Sequence, residues 1–297
     1  MRSGGVRTAR ALAVLGLSAA VVAGCTSHPA SPANSAGPGQ GSGSSATVGG
    51  SWQTIEVPAA AVAGNEREVR IYTPAVARPD QLPVLYALHG VPGGPSDLCN
   101  PTVGDFLAAA FSSGVQPFIV ACPDGNDDDF DDTEWADSVD GRSQVETFVT
   151  GPLITAVEGA HPRPRGLRAI AGFSMGGFGA AMLALRHPNL YGQVATLAGY
   201  FTIDDPDGIF ADDPGVEAAY DPTDLMAFAS RMRWLLIEAT DDDLNLTAHA
   251  SESFAALLRE QGATVDLLRT PGEHDNQWAD AQLPAVAEFF AAGWKSG

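Results

Sequence analysis

Apolar and polar positions change period along this chain, and the changes mark out its elements. Residues 52–57 and 68–72 alternate, as half-buried antiparallel strands do, and together they predict a hairpin at a sheet edge. Residues 83–88 are almost continuously apolar, the pattern of a strand buried on both faces, 117–121, 167–171 and 233–238 read in the same way, and 192–197 and 264–268 read as further strands. Between them lie segments of helical period at 104–113, 145–158, 179–186 and 246–261. Strands alternating with helices predict an α/β fold with a mostly parallel central sheet covered on both faces. Residues 200–231 break the rhythm with Asp-Pro and Pro-Gly turns and predict a cap-like insertion that selects the substrate.

Composition sets the size and the surroundings of this domain. With 297 residues and 45% hydrophobic content, the chain suffices for one α/β domain, expected over residues 52–297. Before it stand Arg2, Arg7 and Arg10, an uncharged run over 11–23, and Val22-Ala23-Gly24-Cys25, the form of an export leader too short to span a bilayer. Small residues before a cysteine resemble a bacterial lipobox. Cleavage after residue 24 would leave Cys25 lipidated on the outer face of the membrane, the competing reading being an ordinary secretory leader. Residues 25–51 are Ser, Gly, Pro and Ala without apolar period and predict a flexible tether. The formal net charge of −20 speaks against nucleic acid as a partner. In an exported chain the remaining Cys99 and Cys122 form either a disulfide, the expected state, or two buried thiols.

The chemistry centres on Gly172-Phe173-Ser174-Met175-Gly176-Gly177, a strand-to-helix break with the Gly-x-Ser-x-Gly pattern. A serine becomes nucleophilic when a sharp turn presents it beside a base and backbone N–H groups await the oxyanion. Met175 N–H supplies one such donor. The loop His89-Gly90-Val91-Pro92-Gly93-Gly94 supplies the other through Val91 N–H, with His89 expected to bond the loop backbone. Among Asp241, Asp242 and Asp243, all after the apolar 233–238 strand, like-charge repulsion lets one point inward, and Asp242 is expected to be that one. His274, in the loop after the last strand, is the general base. His28, His161, His187 and His249 fall in the tether, before prolines or inside a helix. The order serine, acid, histidine is that of α/β-hydrolases.

An acidic run over 124–140 offers oxygens for a hard cation, but no glutamate falls at the closing position of a calcium loop. A solvated loop is expected, with Trp135 as a wall of the substrate cleft.

These motifs resemble a family. Leu-His-Gly-Val over 88–91, Pro-Asp-Gly over 123–125, Glu-Thr-Phe over 146–148, the elbow, His187-Pro188, Ala-Thr-Asp-Asp-Asp-Leu over 239–244 and Gly-Glu-His over 272–274 with Trp278 are similar to the esterase-D group of α/β-hydrolases. That group includes S-formylglutathione hydrolases, feruloyl and acetyl-xylan esterases and the mycolyltransferases. The resemblance implies Asp242 as the acid, from the pattern Gly-Thr-x-Asp-x-Leu with Ala239 replacing the glycine, and Val91 and Met175 as oxyanion donors. It also implies a carboxylesterase that needs no cofactor and acts on a small-molecule or cell-envelope ester. Acyl transfer to a sugar hydroxyl is the alternative, and a tethered binding protein without activity the third. Mycolyltransferases carry Asp-Gly where this chain has His89-Gly90 and a glutamate at Asp242, which favours hydrolysis.

Overall fold

A computed structural model describes residues 48–60 and 66–295. The leader, Cys25 and most of the tether lie outside the described residues.

The first two strands, β1 (Gly50–Pro58) and β2 (Glu66–Pro74), form the expected hairpin, and β2 runs antiparallel to β4 (Ile119–Pro123). From β4 onward the sheet is parallel, through β3 (Val84–Leu88), β5 (Arg168–Phe173), β6 (Gln193–Leu197), β7 (Arg233–Ala239) and β8 (Thr264–Thr270), in the order β1-β2-β4-β3-β5-β6-β7-β8. Every residue of β3, β4, β5 and β6 is buried, which is why these strands read as continuous apolar runs.

Helices cover both faces. One apolar layer contains α3 (Val145–Thr150), α4 (Pro152–Glu158), α5 (Met175–Arg186) and α7 (Ala250–Glu260). The other contains α2 (Pro101–Ser112) and α9 (Leu283–Lys295). The short helices α1 (Pro95–Leu98), α6 (Pro214–Tyr220) and α8 (Asn276–Ala281) lie in the connections. Among the described residues no helix is long and apolar enough to cross a membrane. A Cys99–Cys122 disulfide joins the segment between α1 and α2 to β4.

Three expectations need correcting. The helix predicted over 145–158 is two helices, because Pro152 cannot donate its N–H and disfavours helical geometry at Gly151, whose φ is −128°. Helix α7 starts at Ala250 rather than at 246, after His249 in a left-handed conformation with φ 61°. Trp135 is not a cleft wall. It is fully buried, with its indole lying over Gly125 and Gly179 and its Nε1–H donating to the His89 carbonyl at 3.2 Å. Two glycines without Cβ atoms make room for the ring beneath the loop.

Candidate active site

Ser174 stands between β5 and α5 with φ 57° and ψ −121°, a conformation that non-glycine residues rarely adopt and that lifts the side chain off the sheet. The strained turn is fixed from both sides. Ser174 N–H donates to the Leu197 carbonyl at the end of β6, at 3.0 Å. A Cβ at Gly172 would collide with the Gly176 carbonyl, and one at Gly176 with the carbonyls of Leu88 and His89. The second close approach seats the first turn of α5 against the end of β3, so the His89–Gly94 loop lies beside the serine. Met175 is the first residue of α5, where backbone N–H groups have no partner within the helix. Val91 lines the same pocket as Ser174.

Three of the predicted residues converge in line. His274 Nε2 lies 2.9 Å from Ser174 Oγ, and its Nδ1 lies 2.9 Å from Asp242 Oδ2. The carboxylate accepts at Nδ1, which leaves the Nε2 lone pair facing the serine hydroxyl. The Asp242 side chain is only 1% exposed. Its Oδ1 accepts from Leu244 N–H at 3.0 Å and its Oδ2 from the Thr247 hydroxyl at 2.7 Å. Thr247 is a site residue that sequence reasoning missed. It lies inside a predicted helix, five positions after the acid, and only the late start of α7 turns it onto the carboxylate.

The rival aspartates act elsewhere. Asp241 accepts from Gly272 N–H at 2.9 Å while its own N–H donates to the Gly272 carbonyl at 3.1 Å, clamping the β7 and β8 loops together. Asp243 is exposed. After the base, Asp275 caps α8 by accepting from Trp278 N–H at 2.7 Å, and Trp278 donates to Thr270 Oγ1 at 2.9 Å. Both bonds fix the chain that carries His274.

His89 is structural, as expected. Its Nε2 accepts from Gly125 N–H at 2.9 Å and its Nδ1 lies 2.8 Å from the Gly90 carbonyl, so the neutral ring with a proton on Nδ1 ties the oxyanion loop to the loop after β4. His187 pairs with Glu146 at 2.6 Å beside Arg186, and His161 and His249 are exposed. Although burial pushes the Glu146 carboxyl up, hydrogen bonds from His187 and Arg186 hold it below the usual range.

Protein donors occupy much of the acidic run. Asp127 pairs with Arg67 at 3.0 Å, Asp137 accepts from Thr147 N–H at 2.9 Å, and Asp140 accepts from the Ser138 hydroxyl at 2.8 Å. Among the described residues one group gathers metal-type ligands, Glu238 with His249 and Glu252, and Arg269 Nε already bonds Glu238 there at 2.9 Å.

The pocket over the serine measures about 260 Å³ and is lined by the Gly90–Pro92 loop, Asp97, Phe173, Ser174 and the chain from His274 to Asn276. Phe173 lies against the imidazole with ring centroids 4.8 Å apart.

A mostly parallel α/β sheet with a strained strand-to-helix serine in line with a histidine and an aspartate defines a serine hydrolase of the α/β-hydrolase class. The chain belongs to the esterase family, whose model, described as "Putative esterase", matches residues 60–295, and it is an enzyme acting on ester bonds. No curated protein matches the sequence. Solved structures share the fold. An S-formylglutathione hydrolase from Agrobacterium tumefaciens aligns with a TM-score of 0.70 at 17% identity, over 83% of this chain and 96% of its own. A ferulic acid esterase aligns at 0.68 and 20% identity, over 83% of this chain and 99% of its own. MPT51 of Mycobacterium tuberculosis aligns at 0.58 and 19% identity, over 82% and 98%.

Proposed function

We propose that this enzyme hydrolyses a carboxylic ester in two steps through an acyl-enzyme on Ser174. His274 takes the serine proton as Oγ attacks the ester carbonyl, and Asp242 holds the imidazole in the tautomer that can accept it. The N–H groups of Met175 and Val91 stabilise the oxyanion, and the alcohol leaves with the proton from His274. Water then attacks the acyl group, with His274 again as base, and releases the acid and free Ser174. The observation that carries this reading is the unbroken line from Ser174 Oγ through His274 to Asp242, both links at 2.9 Å.

The leader and the lipobox at Cys25 support export and anchoring on the outer face of the membrane, with residues 25–51 as the tether. An ester of the cell envelope, or a small ester reaching it, is the matching substrate class.

The test is labelling with a fluorophosphonate probe together with turnover of chromogenic esters. Wild type should label and turn over, and Ser174→Ala should do neither. An unlabelled wild type would refute the reading. Adding excess trehalose and analysing the products separates hydrolysis, which gives free acid alone, from acyl transfer, which gives a sugar ester.

A further inference from the structure

A second cavity lies directly behind the nucleophile, and its walls carry almost no polar atoms. It opens between the sheet and the α2 and α9 helices, with Ala87 and Ala171 as floor and Leu107 and Ala287 as walls, and it holds about 50 Å³ of empty space. A void of this size within a core would ordinarily be filled, since its lining forfeits dispersion contacts.

Its position relative to the serine is the informative part. Three chain segments each line both spaces. On α1, Leu98 faces the apolar cavity and the preceding Asp97 faces the pocket over Ser174. On β5, Phe173 belongs to both, immediately before the nucleophile. On α8, Ala279 lines the cavity and Asn276, one helical turn earlier, lines the pocket. The two spaces therefore adjoin along a common edge, and the Phe173 ring, lying against His274, forms the partition.

We propose that this cavity is the acyl-chain subsite, entered past Phe173, and that the enzyme prefers esters of unbranched aliphatic acids of about four to six carbons. This assignment rests on the acyl-enzyme reading above. Such a chain leaves its carbonyl at Ser174 and places its terminal methylenes among side chains with no hydrogen-bonding groups. The empty volume admits one or two methylenes beyond those held in the outer pocket, and each buried methylene is worth about fourfold in kcat/KM.

The experiment compares kcat/KM for p-nitrophenyl acetate, butanoate, hexanoate and dodecanoate in the full chain. Wild type should rise roughly 15-fold from acetate to hexanoate and fall by dodecanoate. Ala287→Phe, which fills the cavity from α9, should abolish the rise, and Leu107→Ala, which enlarges it, should move the optimum to longer chains. Equal hexanoate-to-acetate ratios in wild type and both variants would overturn the assignment. If wild type cleaves none of these esters, the esterase reading fails, and the cavity is still tested by calorimetric titration with 1-hexanol, a neutral chain of matching length. Binding in wild type that disappears in Ala287→Phe supports the subsite, whereas no binding, or equal binding in both, overturns it.

Discussion

Asp132 should make the protein less stable as pH rises, and the structure gives the size of the effect. Its carboxyl is pushed from the ordinary 3.8 up to about 6, first by burial and then by the charges of Asp207, Asp204 and Asp205, against the opposing hydrogen bond from Glu134 N–H. The folded chain therefore holds this proton more tightly than the unfolded chain does. Stability is fully present below about pH 4, declines as pH rises to about 6, and is level above that. The displacement corresponds to at most about 3 kcal/mol. Asp132→Asn keeps an oxygen to accept from Glu134 N–H, now at 3.1 Å, and removes the charge. The variant should be more stable than wild type by about 1–3 kcal/mol at pH 7.5 and equal to it at pH 4. Guanidinium titrations at both pH values, read as shifts in midpoint at constant slope, measure this. A variant less stable than wild type at pH 7.5 would refute the reasoning and show that the charge is held by a partner such as a bound cation.

Three further outcomes follow from the site. Asp242→Asn should lower kcat on the order of 10⁴-fold by favouring the wrong imidazole tautomer, while Asp241→Asn should lose far less, as kinetics on one chromogenic ester will show. Thr247→Val removes one of the two donors to the acid other than the imidazole and should lower kcat/KM about 10-fold, with Thr247→Ser restoring most of it. Replacing Cys99 and Cys122 by serine opens a loop with a sequence separation of 23 and should cost about 3 kcal/mol of stability, read as a lower denaturation midpoint.

The strands and the triad were legible because each leaves a local mark. Buried parallel strands are apolar throughout, the elbow needs its glycines, and the order of serine, acid and histidine follows from the order of the strands. Thr247, Trp135 and the apolar cavity leave no such mark. Thr247 meets Asp242 only because the chain turns back at His249 before α7 begins, an event that helical periodicity does not register. Trp135 is buried because two glycines far apart in sequence but adjacent in space, Gly125 and Gly179, both lack a Cβ beneath it, and its place in an acidic loop suggests the opposite. A void is a property of how α2 and α9 sit over the sheet, and no single residue encodes it.

The distribution of carboxylates explains how so acidic a chain folds around this site. Its aspartates are given backbone N–H groups in place of water. Asp205 accepts from Ile209 and Phe210 at 2.6 and 2.9 Å, Asp221 from Ile203 and Thr223 at 3.1 and 2.7 Å, and Asp241 and Asp242 do the same in the β7 loop. Where buried carboxylates crowd one another, burial and repulsion outweigh the hydrogen bonds they accept: Asp132 is raised by burial and by Asp207, Asp204 and Asp205, and Glu134 by burial and by Asp132. The pocket mouth follows the first pattern. Asp97 accepts from Gly94 N–H at 3.1 Å and Asp275 from Trp278 N–H at 2.7 Å, so both carboxyl groups are held in place where the substrate enters. Each opposes an incoming anion by about 1 kcal/mol at 4 Å in water, and by more in the partly desolvated pocket. The same residues that hold the oxyanion loop and the His274 segment in place therefore select against negatively charged esters, and the apolar cavity behind Phe173 selects for an uncharged chain.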